Sequence, residues 1–259
     1  MNQKLGKNIF ILFNIVALII GLISLQKKQL LQTKTIQEKI DYLEKEKHLK
    51  AEVKLLGKLP AFGFDNLLAN WNYLQFLQYF GDTEARNVTG YSVVTDYFES
   101  IVDRDPNFIQ SHLTMSSANS LFAARPEKTI ELIDKVLESV TPQTPGYPFF
   151  LWTYKATDEI LFLGDLEAAE NSYKMAAKWA SMRNDELGEE MSDRYRTTAQ
   201  FLATNPNSTD VQIKAWIYVL EQASDLKTQQ QVINKLESLG VDVFITEEGQ
   251  IKVIEKDQA

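Results

Sequence analysis

The chain has no cysteine, only two histidines, and seven prolines and 11 glycines in 259 residues. Without cysteine there are no disulfides, thiolate nucleophiles, iron–sulfur clusters or cysteine-based zinc sites. The compartment stays open, because absence of cysteine suits either side of a membrane. The histidines, His48 and His112, lie far apart in sequence, with no second nitrogen ligand or carboxylate spacing that matches a metal box. Ser111 precedes His112, but nothing around the pair reads as a nucleophile elbow. Gly63, Gly81 and Gly90 are dispersed breakers, not a phosphate-cradling loop. The acidic run Glu186, Glu189, Glu190 and Asp193 reads as the solvated start of a helix, favoured by its dipole. These absences argue against an enzyme, and no cofactor, metal site or catalytic residue is expected.

What is present is apolar and helical. Hydrophobic residues make up 44% of the chain and aromatic residues 11%, ample for a packed core. Charge is unevenly spread. Residues 1–60 carry 11 Lys against 5 Asp and Glu, whereas residues 61–259 carry 16 Lys and Arg against 30 Asp and Glu. An acidic head repels phosphates, so no nucleic-acid partner is expected. The helix-then-hairpin pattern over 226–254 resembles a winged helix, but residues 225–257 hold only Lys227, Lys235, Lys252 and Lys256 against seven acids.

The stretch Ile9 to Leu25 contains no charged residue and, at 17 residues, spans roughly 26 Å as a helix. Flanking Lys7, Lys27 and Lys28 can snorkel to make up the difference from a ~30 Å hydrocarbon core. A cleaved signal peptide is the rival reading, but no small-x-small cleavage pattern follows. Residues 9–25 are therefore expected to anchor the chain in a lipid bilayer as a single pass. Lysines flank both ends, and the positive-inside rule leaves the side of the large domain nearly even, tilting to the cytoplasm.

Residues 26–60 read as a charged helical stem. Ile36, Ile40 and Leu43 follow 4-3 spacing, Leu49, Val53 and Leu56 repeat it after a phase change, and Glu46 and Lys50 form an i, i+4 pair. The two runs fit either a short coiled coil that allows homo-oligomerisation or a solvated stalk that packs locally on the head. Gly57 and Pro60 end it.

From Phe64 onward the pattern is helix after helix. Asp65 is the expected N-cap of a helix over 65–80, whose apolar residues cover most of its circumference and predict burial. A polar loop over 82–90 follows. Three triplets then share one 4-3 spacing: Val94, Phe98 and Ile101; Thr129, Ile133 and Val136; Ala169, Tyr173 and Ala176. Their starts lie 35 and 40 residues apart, and each is preceded by another helix, over 65–80, 107–124 and 147–163. Gly164-Asp165 forms the tight turn of the clearest pair, Leu161 to Ala180. A further hairpin is expected from helices over 187–203 and 209–223, then a helix over 226–239. Val241, Val243 and Ile245, with Ile251 and Val253, switch to alternation and predict a small β-hairpin.

On Gly164, Ala169, Tyr173 and Ala176, and on the recurring triplets, residues 64–183 resemble the tetratricopeptide repeat, a helix–turn–helix unit of about 34 residues. Thr157, Trp152 and Ser181 depart from the family pattern, and 81–90 and 142–148 are insertions. The expected fold class is thus all-α: a degenerate array of helical hairpins behind a transmembrane helix and a helical stem, closed by a small C-terminal β-hairpin. The expected organisation is tail and anchor 1–25, stem 26–60, three repeat-like hairpins 61–183, an additional hairpin 184–224, and helix, β-hairpin and frayed tail 225–259. The stretch Gly63 to Asp82 is similar to single-span tetratricopeptide proteins of cyanobacterial and chloroplast membranes, some of which assist assembly of photosynthetic complexes.

That resemblance implies a scaffold in a bacterial inner or thylakoid-type membrane. It also implies a ligand groove lined by the first helix of each unit. In the third unit the inward positions would be Leu151, Tyr154, Asp158, Leu161 and Phe162, the last two expected as core. In the second they would be Ser111, Thr114, Ala118 and Phe122. The implied partner is another protein or a membrane complex. The alternatives are a structural protein that self-associates through span and stem, and an enzyme using groove carboxylates.

Overall fold

The computed structural model describes residues 18, 21, 22, 25–27, 37–246 and 251–255. Most of the apolar stretch 9–25 lies outside the described residues, and among those described no helix is long and apolar enough to cross a membrane. The chain divides into two compact units, at Lys45 and Glu46. In the first, residues 37–45 are helical, and Gln37 Nε2 donates to Asp41 Oδ1 at 2.9 Å.

The second unit opens with the helical residues 46–58 (α1). It continues through α2 (Asp65–Gly81), α3 (Thr83–Thr89), α4 (Val94–Arg104), α5 (Ile109–Met115) and α6 (Pro126–Ser139). Then come α7 (Phe149–Asp158), α8 (Leu166–Ser181), α9 (Glu186–Leu202), α10 (Thr209–Gln222) and α11 (Leu226–Ser238). Strands β1 (Val241–Ile245) and β2 (Ile251–Glu255) pair antiparallel with Val243 opposite Val253. The described chain is overwhelmingly helical with one small C-terminal hairpin, as its periodicity predicts.

Two helices continue past their α-helical ends as π-helix: α5 through Ser116–Phe122 and α7 through Glu159–Leu163. The second ends at Gly164, whose φ of 71° is left-handed and whose missing Cβ leaves room for the Gln212 amide. Asp165 then caps α8 by accepting from Ala168 N at 2.9 Å.

Packing follows the triplets. Val94, Phe98 and Ile101, then Thr129, Ile133 and Val136, then Ala169 and Ala176 are all buried, with Tyr173 half-buried. The large cluster runs from Val53 and α2 through α4–α8 to Tyr195. A smaller one joins Phe162 to Trp216, Leu220, Leu236 and Val241. Helix α8 packs on both α7 and α9, whereas α10 packs on α11 and on the two π-helical segments. The two helices expected to pair over 184–224 therefore have different principal neighbours.

Four local expectations differ. The expected loop 82–90 is helical, because Asp82 caps α3 by accepting from Ala85 N at 3.2 Å. Asp65 makes no cap; its carboxylate pairs with Arg104 at 3.2 Å. Glu46 bonds Arg86, not Lys50, which instead stands 3.4 Å from Asp96. Helix α2 is buried along only one arc, through Ala69, Asn72, Phe76 and Tyr79.

The α1 segment is clasped along its length. Glu46 receives the guanidinium of Arg86 at 3.0 Å, Tyr79 and Ser92 hydroxyls at 2.8 Å, and Thr89 at 3.1 Å. Val53 is buried in the large cluster, and Arg104 donates to the Leu56 and Leu59 carbonyls. The second apolar run of the stem thus faces α4, while Ile40 and Leu43 of the first are exposed.

Candidate interaction surface

The inward positions of the second and third units lie where their first helices meet. Ser111, Ala118, Leu151 and Asp158 are buried, and Thr114, Phe122 and Tyr154 are half-buried. Leu161 is half-buried and Phe162 is core. Leu151 and Ala118 belong to the large cluster, and Tyr154 packs against it.

Asp158 organises a buried polar seam. One carboxylate oxygen accepts from Ser116 Oγ at 2.9 Å and the other lies 2.7 Å from Ser120 Oγ, on either side of Ala118 in sequence. The π-helical turn turns Asn119 and Ser120 toward α6: Asn119 Nδ2 donates to Thr129 Oγ1 at 2.9 Å, and Ser120 Oγ lies at the same distance from it. Thr95 closes the chain by donating to Asn119 Oδ1. Burial pushes the Asp158 carboxyl up to about 7, the two serine hydroxyls pull it back, and the neighbouring Glu159 charge adds to the rise. Ser120 has one hydroxyl hydrogen for two neighbours, so a protonated Asp158 can donate to Ser120 and free that hydrogen for Thr129. Glu159 is likewise raised by burial, against the pull of Ser172 and Lys155.

Burial pushes His112 down to about 4, against the Asp105 and Pro106 backbone carbonyls that favour its charged form. Its Nε2 stands 3.1 Å from the Asp105 carbonyl and its Nδ1 3.4 Å from Ser111 Oγ. The Nε2 contact joins the helix to the preceding Asp-Pro turn, and the Nδ1 contact stays within α5.

Helix α2 is the element that touches these groove positions from outside. Tyr73 OH meets Thr114 Oγ1 at 3.1 Å, and the Phe80 ring stands 5.0 Å from Phe122. Its opposite arc is exposed among the described residues: Leu67 is 62% exposed, Trp71 52%, Leu74 54% and Leu77 45%. Asn66, Asn70 and Gln78 share that arc. Asp65 is the single charged residue in α2, and it is neutralised by Arg104. Sequence reasoning missed this face because an apolar circumference reads as burial. The available signal was the near-absence of charge combined with amides, which suits a face covered by something other than the chain's own core.

A second concavity, of about 520 Å³, lies between Pro142–Tyr147 and Met182–Asp185. Its polar groups satisfy one another: Arg183 lies over the Tyr147 ring at 4.5 Å and pairs with Asp185, which caps α9 through Gly188 N. No protein-family model, curated protein or solved structure matches this chain.

Proposed function

We propose that the chain is a membrane-tethered, tetratricopeptide-like scaffold. Its helical head binds another protein, or helps assemble and maintain a membrane protein complex of the thylakoid or bacterial inner membrane, and residues 9–25 hold it in the bilayer. The observation that carries the binding role is the exposed α2 arc: four large apolar side chains with no free charge among them, on a head that is otherwise strongly acidic. Surfaces of this kind mark contact sites. The half-buried Thr114, Phe122 and Tyr154 adjoin or extend the same first-helix row.

A photo-crosslinking residue at position 71 of the full chain, in its native membrane, tests the reading. Capture of a defined protein is expected at position 71, its loss with Leu74→Glu, and none from position 226 on α11, where Leu226 is 83% exposed. Equal capture from both positions, or none from 71, sinks it. Exposed Ile40 and Leu43 favour a second reading, self-association through the stem. Ile40→Glu with Leu43→Glu should then lower the mass of the solubilised full chain by sedimentation.

A further inference from the structure

The exposed arc of α2 places residues at matching offsets on either side of Leu74. Three residues before Leu74 stands Trp71 and three after it Leu77; four before stands Asn70 and four after Gln78; seven before stands Leu67 and seven after Gly81. All seven are on the exposed arc, or at its end in the case of Gly81. An antiparallel partner centred on the same residue would place Leu74 against Leu74, Trp71 against Leu77, Asn70 against Gln78 and Leu67 over Gly81. Each pairing suits its chemistry. The indole fills against a leucine, two amides can exchange hydrogen bonds, and the leucine meets a position with no side chain and nothing within 4 Å of where a Cβ would be. Separations of three, four and seven are those by which one helix presents a seam to another.

We infer that the occupant of this face is a second copy of the chain, docked through α2 in antiparallel register about a two-fold axis at Leu74. The inference rests on reading the α2 arc as a contact face, as proposed above, and puts a second copy of the chain where that reading puts another protein. Charge permits a like partner at this face and little else on the head. Two acidic heads repel least across an uncharged patch, and the only carboxylate of α2 is already paired with Arg104. Size fits a weak, transient dimer. The four exposed residues of the arc leave on the order of 400 Å² of apolar surface per copy, which once doubled lies in the range of weak encounters. A bilayer suits the face less well, because Asn66, Asn70 and Gln78 would enter hydrocarbon without partners.

The native chain lacks cysteine, so single cysteines report the contact directly. In the full-length detergent-solubilised protein, Leu74→Cys should oxidise to a covalent dimer in the majority of chains, at least tenfold above Leu226→Cys. A mixture of Asn70→Cys and Gln78→Cys chains should crosslink, while Asn70→Cys alone should not. An unchanged melting temperature for Leu74→Cys, at an exposed position, shows the fold is retained. Crosslinking of Leu67→Cys and Leu74→Cys each to its own counterpart would overturn the antiparallel register. Absence of the Leu74 dimer overturns the inference. A photo-probe at position 74 then separates the remaining cases. Capture of a different protein preserves the contact-face reading alone, and labelling of lipid, or of nothing, ends both.

Discussion

At the scale of single residues, the polar seam shows how a buried carboxylate ties stability to pH. Burial holds the Asp158 carboxyl up to about 7 in the fold, against the ordinary 3.8 of an exposed aspartate. A raised folded value means the folded state holds the proton more tightly. The associated stability is complete below the unfolded value and is lost as pH rises through about 7. His112 works in the opposite sense: its folded value, near 4, lies below the ordinary 6.5, so stability falls as pH drops through that interval. Replacing Asp158 by Asn isolates the first effect, since the amide can still donate to Ser120 and accept from Ser116. Across pH 4 to 8 the native chain should lose on the order of 2–4 kcal/mol relative to the Asn variant. Parallel melting-temperature curves for the two proteins would show that the seam does not hold a proton.

Glu46 is a second residue whose worth comes from its partners. Arg86 is buried beneath it and stacked 3.6 Å over the Tyr79 ring, so deleting the carboxylate strands a cation. Glu46→Ala should cost about 3–5 kcal/mol in urea unfolding, and adding Arg86→Met should return a substantial part of it. If the double variant is as unstable as the single, the stranded charge is not the cause.

At the scale of elements, α9 starts in close contact with the end of α8 and the turn that follows it. A Cβ on Gly188 would stand 2.6 Å from the Ala180 carbonyl oxygen and 2.7 Å from Arg183 Cβ, neither of which moves without shifting backbone. Gly188→Ala should cost about 1–3 kcal/mol by thermal melting, and an unchanged melting temperature would mean that α8 and α9 can separate freely. Gly188 is invisible to pattern reading because its reason is a neighbour's backbone. The helices themselves were legible: the 4-3 triplets mark the faces that the core covers, and the alternation of Val241, Val243 and Val253 marks the hairpin. What spacing conceals is polarity inside that pattern. Thr129 occupies an apolar slot of its triplet, yet it is threonine because its hydroxyl meets Asn119 and Ser120 and donates to the Arg125 carbonyl. The π-helical turn that aims Asn119 and Ser120 runs through Ser116–Phe122, where small and polar residues carry too little hydrophobic pattern to show its wider period. Spacing gives the first-helix rows, but which of their positions stay open depends on how deeply neighbouring helices sink between them, as buried Ser111, Ala118, Leu151 and Asp158 show.

At the scale of the whole molecule, the stem illustrates the same dependence on distant partners. A charged helix with two short apolar runs is equally good as coiled coil or as packed strut when only local spacing is considered. The decision comes from residues 30 to 50 positions away: Arg86, Thr89 and Ser92 around Glu46, Asp96 beside Lys50 and Lys54, and Arg104 at the Leu56 and Leu59 carbonyls. Gly57 completes the fit, since a Cβ there would stand 3.2 Å from Ser100 Oγ. Residues 46–60 are thus a structural part of the head. A fragment of residues 46–259 should unfold in one cooperative step. A fragment of residues 61–259 should melt at least 10 °C lower or fail to fold. The shorter fragment uncovers Val53's place in the core and leaves Arg86, Asp96 and Arg104 without α1, losses that together exceed about 5 kcal/mol. Circular dichroism of both fragments decides the matter. Equal melting temperatures would return α1 to the status of a free stalk, available for coiled-coil pairing, whereas the expected gap confines such pairing to residues N-terminal of Glu46.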